Sequence, residues 1–365
     1  MSGEKRILQL LLDAVAGGVF PGAVLLVARQ KKTLFCEAVG NGAVLPAPRL
    51  MTSQTRFDLA SLTKPLATAL SVLCLVSQEK LQLDDSLAKL LPSTSVPQDK
   101  KEITLRQLLC HCSGLPAWKP YYLSLQTLPL KDRTASLRQM IVQEPLDSSP
   151  GTTTTYSDLG FLVIEWILEQ ISGQNLHHFT RENLFGPLGC ATPAFRPLDR
   201  RSVQDPCEFA DTEYCSWRAT TLSGQVHDEN AYVLGGVAGH AGLFGTALEV
   251  KCVLDAILDT LSNEDTSTPW SRERLSEFLL PARLDPASTW ALGFDTPASS
   301  DSSAGHHFSA ETVGHLGFTG TSFWLDLQRE MAVILLTNRI HPSRDNEKIK
   351  DFRPLIHDAV MEEFG

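Results

Sequence analysis

The stretch FDLASLTKPLATAL, Phe57 to Leu70, decides how the rest of the chain is read. From Leu66 to Val76 the sequence is apolar nearly all round, the mark of a helix enclosed on every side. Lys64 stands at the start of that run and is expected to be buried with it. A lysine among apolar residues ordinarily lays its stem on the core and keeps its ammonium in water. An enclosed ammonium needs a partner. Ser61 and Lys64 are three residues apart, so on a helix they share a face. Pro65 is tolerated only in a first turn, where its missing N–H costs little. Ser61 therefore sits at or beside a helix start, where free N–H groups and the helix dipole favour developing negative charge. A serine hydroxyl beside an amine in that position is an activated nucleophile. For Lys64 to serve as the base, burial must strip its charge. Ser-x-x-Lys alone is common, and its plain alternative is a capping serine with an exposed lysine.

Two other segments bear on that choice. Pro150-Gly-Thr-Thr-Thr-Thr-Tyr156-Ser157-Asp158 leads from a turn through a polar run to a tyrosine just before an apolar helix. Tyr156 there could share a proton with the Ser61/Lys64 pair, and Asp158 could hold the lysine. The alternative is a helix cap with a packing tyrosine. Gly314-His315-Leu316-Gly317-Phe318-Thr319-Gly320-Thr321 falls on a late strand, where glycine lets a substrate backbone approach the strand edge. The alternative is a turn-flanking glycine run.

Outward from these motifs, residues 4–17 read as a helix. Ala23–Arg29 and Thr33–Gly40 read as a hairpin, and 41–56 as loop. From about 75 to 225 short helical patterns alternate with Pro/Gly/Ser-rich loops, and strand signals are weak. The segment from Gly235 to Phe244 is glycine-rich and implies close backbone approach. A helix follows near 247–259. Residues 311–317, 321–327 and 331–337 read as an antiparallel meander, and 347–363 as a last helix. The expected fold is α/β: an antiparallel sheet of about five or more strands from both termini, flanked by helices. A mostly helical subdomain of about 75–235 is inserted between α/β parts of about 1–74 and 236–365, the whole forming one domain over 1–365.

The net charge of −10 and the lack of Lys/Arg clusters beyond Lys31-Lys32 and Lys100-Lys101 argue against nucleic acid as a partner. No secretory pattern or membrane-spanning run is evident, so the expected location is cytoplasmic, with no membrane partner and no disulfide. The eight cysteines are scattered. Cys110-His111-Cys112 is the one tight cluster, and it lacks a second ligand pair at zinc spacing. No metal is expected there.

Taken jointly, Ser61-Leu-Thr-Lys64, Tyr156-Ser-Asp158 and His315-Leu-Gly317 resemble the three motifs of the serine β-lactamase and penicillin-binding protein superfamily. The likeness is to the class C-like branch of esterases and D-amino-acid peptidases. Asp158 stands where the family's second motif has Asn. His315-Leu-Gly317 is the His-x-Gly form of Lys-Thr-Gly. Leu108–Leu115 and Val226–Ala231 with Gly235–Phe244 look like two further segments of that branch, so the likeness runs in pieces from about 20 to 340.

The resemblance implies a β-lactamase/transpeptidase-like fold and a serine hydrolase working through an acyl-enzyme. Ser61, Lys64 and Tyr156 would be catalytic, with the general base open between Lys64 and Tyr156. Asp158, His315, Gly317 and Phe318 would meet substrate, and the N–H groups of Ser61 and Phe318 would form the oxyanion hole. No metal or organic cofactor is implied. The implied partner is a small ester or amide, including D-amino-acid amides or muropeptide fragments. His315 and Leu316 in place of Lys and Thr imply a weak grip on a substrate carboxylate. A true β-lactamase or DD-peptidase, or a catalytically silent binding module of the same fold, are the other readings. His227, Asp228 and His240 either line the cleft or staple the glycine-rich loop. Oligomeric state is not legible.

Overall fold

A computed structural model describes residues 3–45, 47–92, 96–198, 208–262 and 267–365. Its centre is a six-stranded antiparallel sheet built from both ends of the chain. The strands are β1 (Gly22–Arg29), β2 (Lys32–Ala43), β3 (Arg49–Leu50), β4 (Thr312–Leu316), β5 (Ser322–Asp326) and β6 (Met331–Thr337). They lie in the order β3-β2-β1-β6-β5-β4. Ala23 faces Thr337 and Arg29 faces Met331, so the first hairpin and the last meander meet at the centre.

The central strands read as unbroken apolar runs because both faces are covered. On one face Leu25 and Val27 pack with Ile7 and Leu11 of α1 (Gly3–Ala16) and with Ile356 of α5 (Ile349–Phe364). On the other, Val24 and Leu26 join Leu66, Leu70 and Leu73. Those residues belong to the buried segment around α2 (Leu70–Ser77). Ala60–Ser77 is apolar and long enough at 18 residues to approach a membrane span, but 89% of it is buried inside the protein. It is the core helix of the fold.

Between the two sheet halves, α3 (Asp158–Ser172) and the shorter helices Leu105–Leu109 and Leu130–Gln143 form the helical cover, and α4 (Ala247–Ser262) returns to the sheet. Several short strands differ from the sequence reading, among them a three-stranded sheet of Phe57–Asp58, Leu243–Gly245 and Ala194–Phe195. Arg49–Leu50 pairs with β2 inside the segment read as loop, because a two-residue strand has no periodicity to read. Asp211–Cys215 and Thr220–Ser223 form a two-stranded ribbon within the largely helical stretch.

The expectation of a disulfide-free chain is corrected. Cys190 and Cys252 are bonded, with Cα atoms 6.5 Å apart across 62 residues. That separation is within the range a bridge spans, and only the docking of α4 against the 186–190 turn brings the two together.

Candidate active site

Ser61 does not start a regular helix. Ala60–Leu62 is one tight 3₁₀ turn, Lys64–Ala69 is a wide i→i+5 turn, and α2 continues from Leu70. Pro65 falls at the first positions of the wide turn, where its missing N–H does least harm. Ala60 has φ +48°, a conformation that costs a non-glycine residue energy. Asp58 holds it: Oδ1 accepts from Ala60 N at 2.9 Å, and Oδ2 accepts from His227 N at 2.6 Å. Burial pushes the Asp58 carboxyl up, and these backbone donors oppose the shift.

Lys64 is fully enclosed, with 0% of its surface exposed. Its Nζ donates to Ser61 Oγ at 3.1 Å and to His240 O at 3.2 Å, and pairs with Asp158 Oδ1 at 2.6 Å. Burial pulls the ammonium down, but the Asp158 carboxylate and the Tyr156 phenol outweigh it and hold the pKa above the usual lysine value. The enclosed lysine is therefore charged. Tyr156 faces the cleft with about a third of its surface, and its hydroxyl reaches inward to Lys64 and Ser61. Burial raises the Tyr156 pKa despite the Lys64 charge, so the phenol keeps its proton.

Ser157 caps α3, accepting from Gly160 N at 3.1 Å and donating to Pro116 O at 2.7 Å. This cap fixes the bend that sends Tyr156 and Asp158 to the same lysine. His111 Nδ1 accepts the Ser157 N–H at 3.0 Å. Its ring lies 4.6 Å from Tyr156 and 4.5 Å from Trp290. Burial first, and the Lys64 charge second, hold His111 neutral. The ring packs against the tyrosine and fixes the wall of the cleft.

The strand-end motif lies across the cleft. Thr319 Oγ1 donates to Asp58 O at 2.7 Å and Thr321 Oγ1 to Leu59 O at 3.1 Å, binding the β4–β5 turn to the serine turn. A Cβ on Gly317 would come within 2.8 Å of Leu59 O, so only glycine allows this approach. His315 Nδ1 bonds Leu316 O at 2.7 Å, and burial with the Lys64 charge depresses its pKa to about 3. The imidazole is neutral.

The glycine-rich loop supplies the far wall. Gly239 is pinned by Thr68 Oγ1 at its carbonyl (2.6 Å) and by Glu165 Oε2 at its N–H (2.8 Å). This fixes the His240 carbonyl that Lys64 contacts. His240 Nε2 meets Asp228 Oδ1 at 2.9 Å, and Asp228 also caps Glu229–Val233. His227, Asp228 and His240 both line the cleft and brace the loop. Asp158, Asp228 and His240 place ligand-type atoms within 4.8 Å of one another. Those of Asp158 and Asp228 already pair with Lys64 and His240, which makes the group a charge network.

The resulting cleft has a volume of about 540 Å³. Ser61, Tyr156, His315 and Phe318 line it, with Trp118 and Trp290 as aromatic walls. All seven residues singled out from sequence converge here. Asp58, His111, Trp290, Arg339 and Arg353 were not singled out as site residues. Asp58 stood inside the opening motif, and His111 inside a segment shared with the superfamily; the other three carry no local signal.

Comparison with known proteins gives the family and the fold. The family model described as Beta-lactamase matches residues 8–357. The N-acetylmuramyl-L-alanine amidase of Bacillus subtilis (strain 168) is 32% identical over 366 aligned positions, covering 92% of this chain and 81% of that protein. A putative D-alanyl-D-alanine carboxypeptidase of Escherichia coli (strain K12) is 32% identical over 358, with 90% and 81% covered. Among solved structures, the hydrolase EstCE1 superposes with a TM-score of 0.74 at 21% identity over 98% of both chains. The octameric penicillin-binding protein homologue from Pyrococcus abyssi gives 0.71 at 17%, over 96% of this chain and 77% of that one. Fold and relatives together define a serine hydrolase of the β-lactamase/penicillin-binding-protein fold. The chain belongs to the β-lactamase family.

Proposed function

We propose that this hydrolase cleaves small esters or amides through an acyl-enzyme on Ser61, with Lys64 and Tyr156 as one proton-handling unit. The observation that carries the reading is the charged Lys64 held between Ser61 Oγ at 3.1 Å and Asp158 at 2.6 Å inside a substrate-sized cleft.

The charge states support a route through Tyr156. Lys64 is an ammonium and donates to Ser61 Oγ, so it is not the resting base. Tyr156 is a neutral phenol within reach of Ser61. As Ser61 Oγ bonds the carbonyl carbon, its proton passes to the Tyr156 oxygen. The proton Tyr156 already carries passes to the departing oxygen or nitrogen. Lys64 stabilises phenolate character as it develops. The bond to the leaving group breaks, and Tyr156 ends with the proton it began with. Water then repeats the sequence on the acyl-enzyme.

His315 cannot hold an anion while neutral, and Leu316 offers no hydroxyl. These features favour acyl compounds that do not depend on a carboxylate grip. The names of the two curated relatives point to amide bonds of cell-wall compounds, and D-amino-acid or muropeptide fragments are the natural amides to try. The test is turnover of p-nitrophenyl butyrate and of D-amino-acid amides by the wild type and by Ser61→Ala. Hydrolysis by the wild type alone supports the reading; equal hydrolysis by both removes it.

A further inference from the structure

Two buried arginines next to the cleft take no part in the proton route. Arg353 of α5 and Arg339, just after β6, are 6% and 8% exposed. Among the described residues no carboxylate lies at ion-pair distance from either. A buried guanidinium without a counter-charge is expensive, and burial depresses both pKa values, that of Arg353 to about 10. At about 10 Arg353 remains charged at neutral pH, and the Arg339 charge adds to its cost.

Their donors go to one short stretch of backbone. Arg353 Nη2 donates to Gly317 O at 3.3 Å and to Thr321 O at 2.9 Å. Arg339 donates to Phe318 O through Nε at 3.0 Å and Nη2 at 2.7 Å. Its Nη1 bonds Arg344 O and Asn346 O, which anchors the guanidinium from behind. The Phe318 ring covers the Arg339 guanidinium at 4.8 Å. The carbonyls of Gly317 and Phe318 are thus held, and between them lies the Phe318 N–H.

We propose that Arg353 and Arg339 form a clamp that sets the Phe318 N–H as an oxyanion donor. The inference rests on the Ser61 acyl-enzyme reading. In a planar trans peptide the carbonyl and the N–H point in opposite directions. Arg353 on the Gly317 carbonyl therefore turns the Phe318 N–H away from α5, and Gly317 and Phe318 line the cleft together with Ser61. Donation to a peptide carbonyl also polarises that peptide and strengthens its N–H as a donor. Arg339 fixes the next peptide, so the pair cannot rotate about Phe318. Two positive charges behind this backbone, Arg353 with no carboxylate acting on it and Arg339 with only the more distant Glu347, raise the local potential where the tetrahedral intermediate becomes negative. Both arginines act through the backbone and are positioning residues.

The same cleft edge offers a competing use for Arg353, direct contact with a substrate carboxylate. A substrate without one separates the two. Arg353→Met and Arg353→Lys are compared with the wild type on p-nitrophenyl butyrate, with kcat and KM measured separately and the fluorophosphonate labelling rate recorded. Removing a whole oxyanion donor costs about 10²–10³ in kcat; misaligning one is expected to cost about 10- to 100-fold in Arg353→Met, with KM within about threefold and labelling slowed in parallel. Arg353→Lys keeps the charge and one donor, so its kcat falls between the two. It also covers the case in which Arg353→Met does not fold, because a loss in kcat without a change in KM is required of it. A rise in KM at wild-type kcat, or wild-type values throughout, overturns the clamp. A wild type that neither hydrolyses the ester nor labels at Ser61 overturns the parent reading and the clamp with it. Normal labelling of wild type and variants alike overturns the clamp alone.

Discussion

Asp158 sits 2.6 Å from Lys64 and keeps a fully buried lysine charged. An asparagine, the residue of the family's second motif, would fill the same space without the charge. In the proposed mechanism the charge on Lys64 therefore turns on a one-atom-scale difference at the start of α3.

Replacing Asp158 by Asn tests that relationship. Burial then acts on Lys64 with less opposition, so its pKa falls. Activity that depends on the ammonium is lost as pH rises through the lysine pKa. The alkaline limb of the kcat/KM profile should therefore move to lower pH in Asp158→Asn. An unmoved limb means that Asp158 does not govern the charge on Lys64.

Lys64→Ala and Tyr156→Phe are each expected to lower kcat by about 10² or more. Together they should lose little further, because groups that act as one unit are not additive. Kinetics of the double variant decide the matter. Fully multiplied losses would show two independent contributions.

How much of this was readable in advance depends on how far each signal reaches along the chain. Ser61 and Lys64 were legible because a lysine three residues from a serine, entering an apolar run, is a local contradiction that chemistry resolves. Tyr156 and Asp158 were legible as a polar run reaching a tyrosine just before an apolar helix, and the terminal strands by short apolar runs between turns. Arg353 was not, because it lies on an amphipathic helix whose pattern demands only helicity. Its partners Gly317 and Thr321 are 36 and 32 residues away. His111 read as part of a Cys-His-Cys cluster until the fold turned its ring onto Tyr156. The Asp211–Cys215 ribbon and the Cys190–Cys252 bond were hidden for the same reason: both are fixed by tertiary docking.

The third motif makes a prediction about substrate choice. A charged hydrogen bond lost from a carboxylate costs roughly 1.5–3 kcal/mol, or about 10- to 100-fold in kcat/KM. p-Nitrophenyl butyrate should be turned over faster than nitrocefin by the wild type. His315→Lys combined with Leu316→Thr should shift the ratio toward nitrocefin. A wild type that already prefers nitrocefin would restore the β-lactamase reading.

Asp228 and His240 predict a pH-dependent stability. Burial opposes the charged imidazole, but Asp228 outweighs it and raises the His240 pKa. A raised folded-state pKa gives stability that is fully present below the unfolded value, near 6.5, and is lost as pH rises through the folded pKa. Removing one member of a buried pair costs about 3–5 kcal/mol. Asp228→Asn should therefore be destabilised more at pH 6 than at pH 9 in urea denaturation. The side-chain amide still caps the 229–233 helix, so the cap is not the variable. Equal losses at the two pH values would exclude a charged pair.

The most direct test of the account is the site of covalent modification. The wild type is treated with a fluorophosphonate, digested, and mapped by mass spectrometry. One adduct is expected, on the peptide carrying Ser61, absent from Ser61→Ala and much slower to form in Tyr156→Phe. An adduct on any other residue, or undiminished labelling of Ser61→Ala, would contradict it.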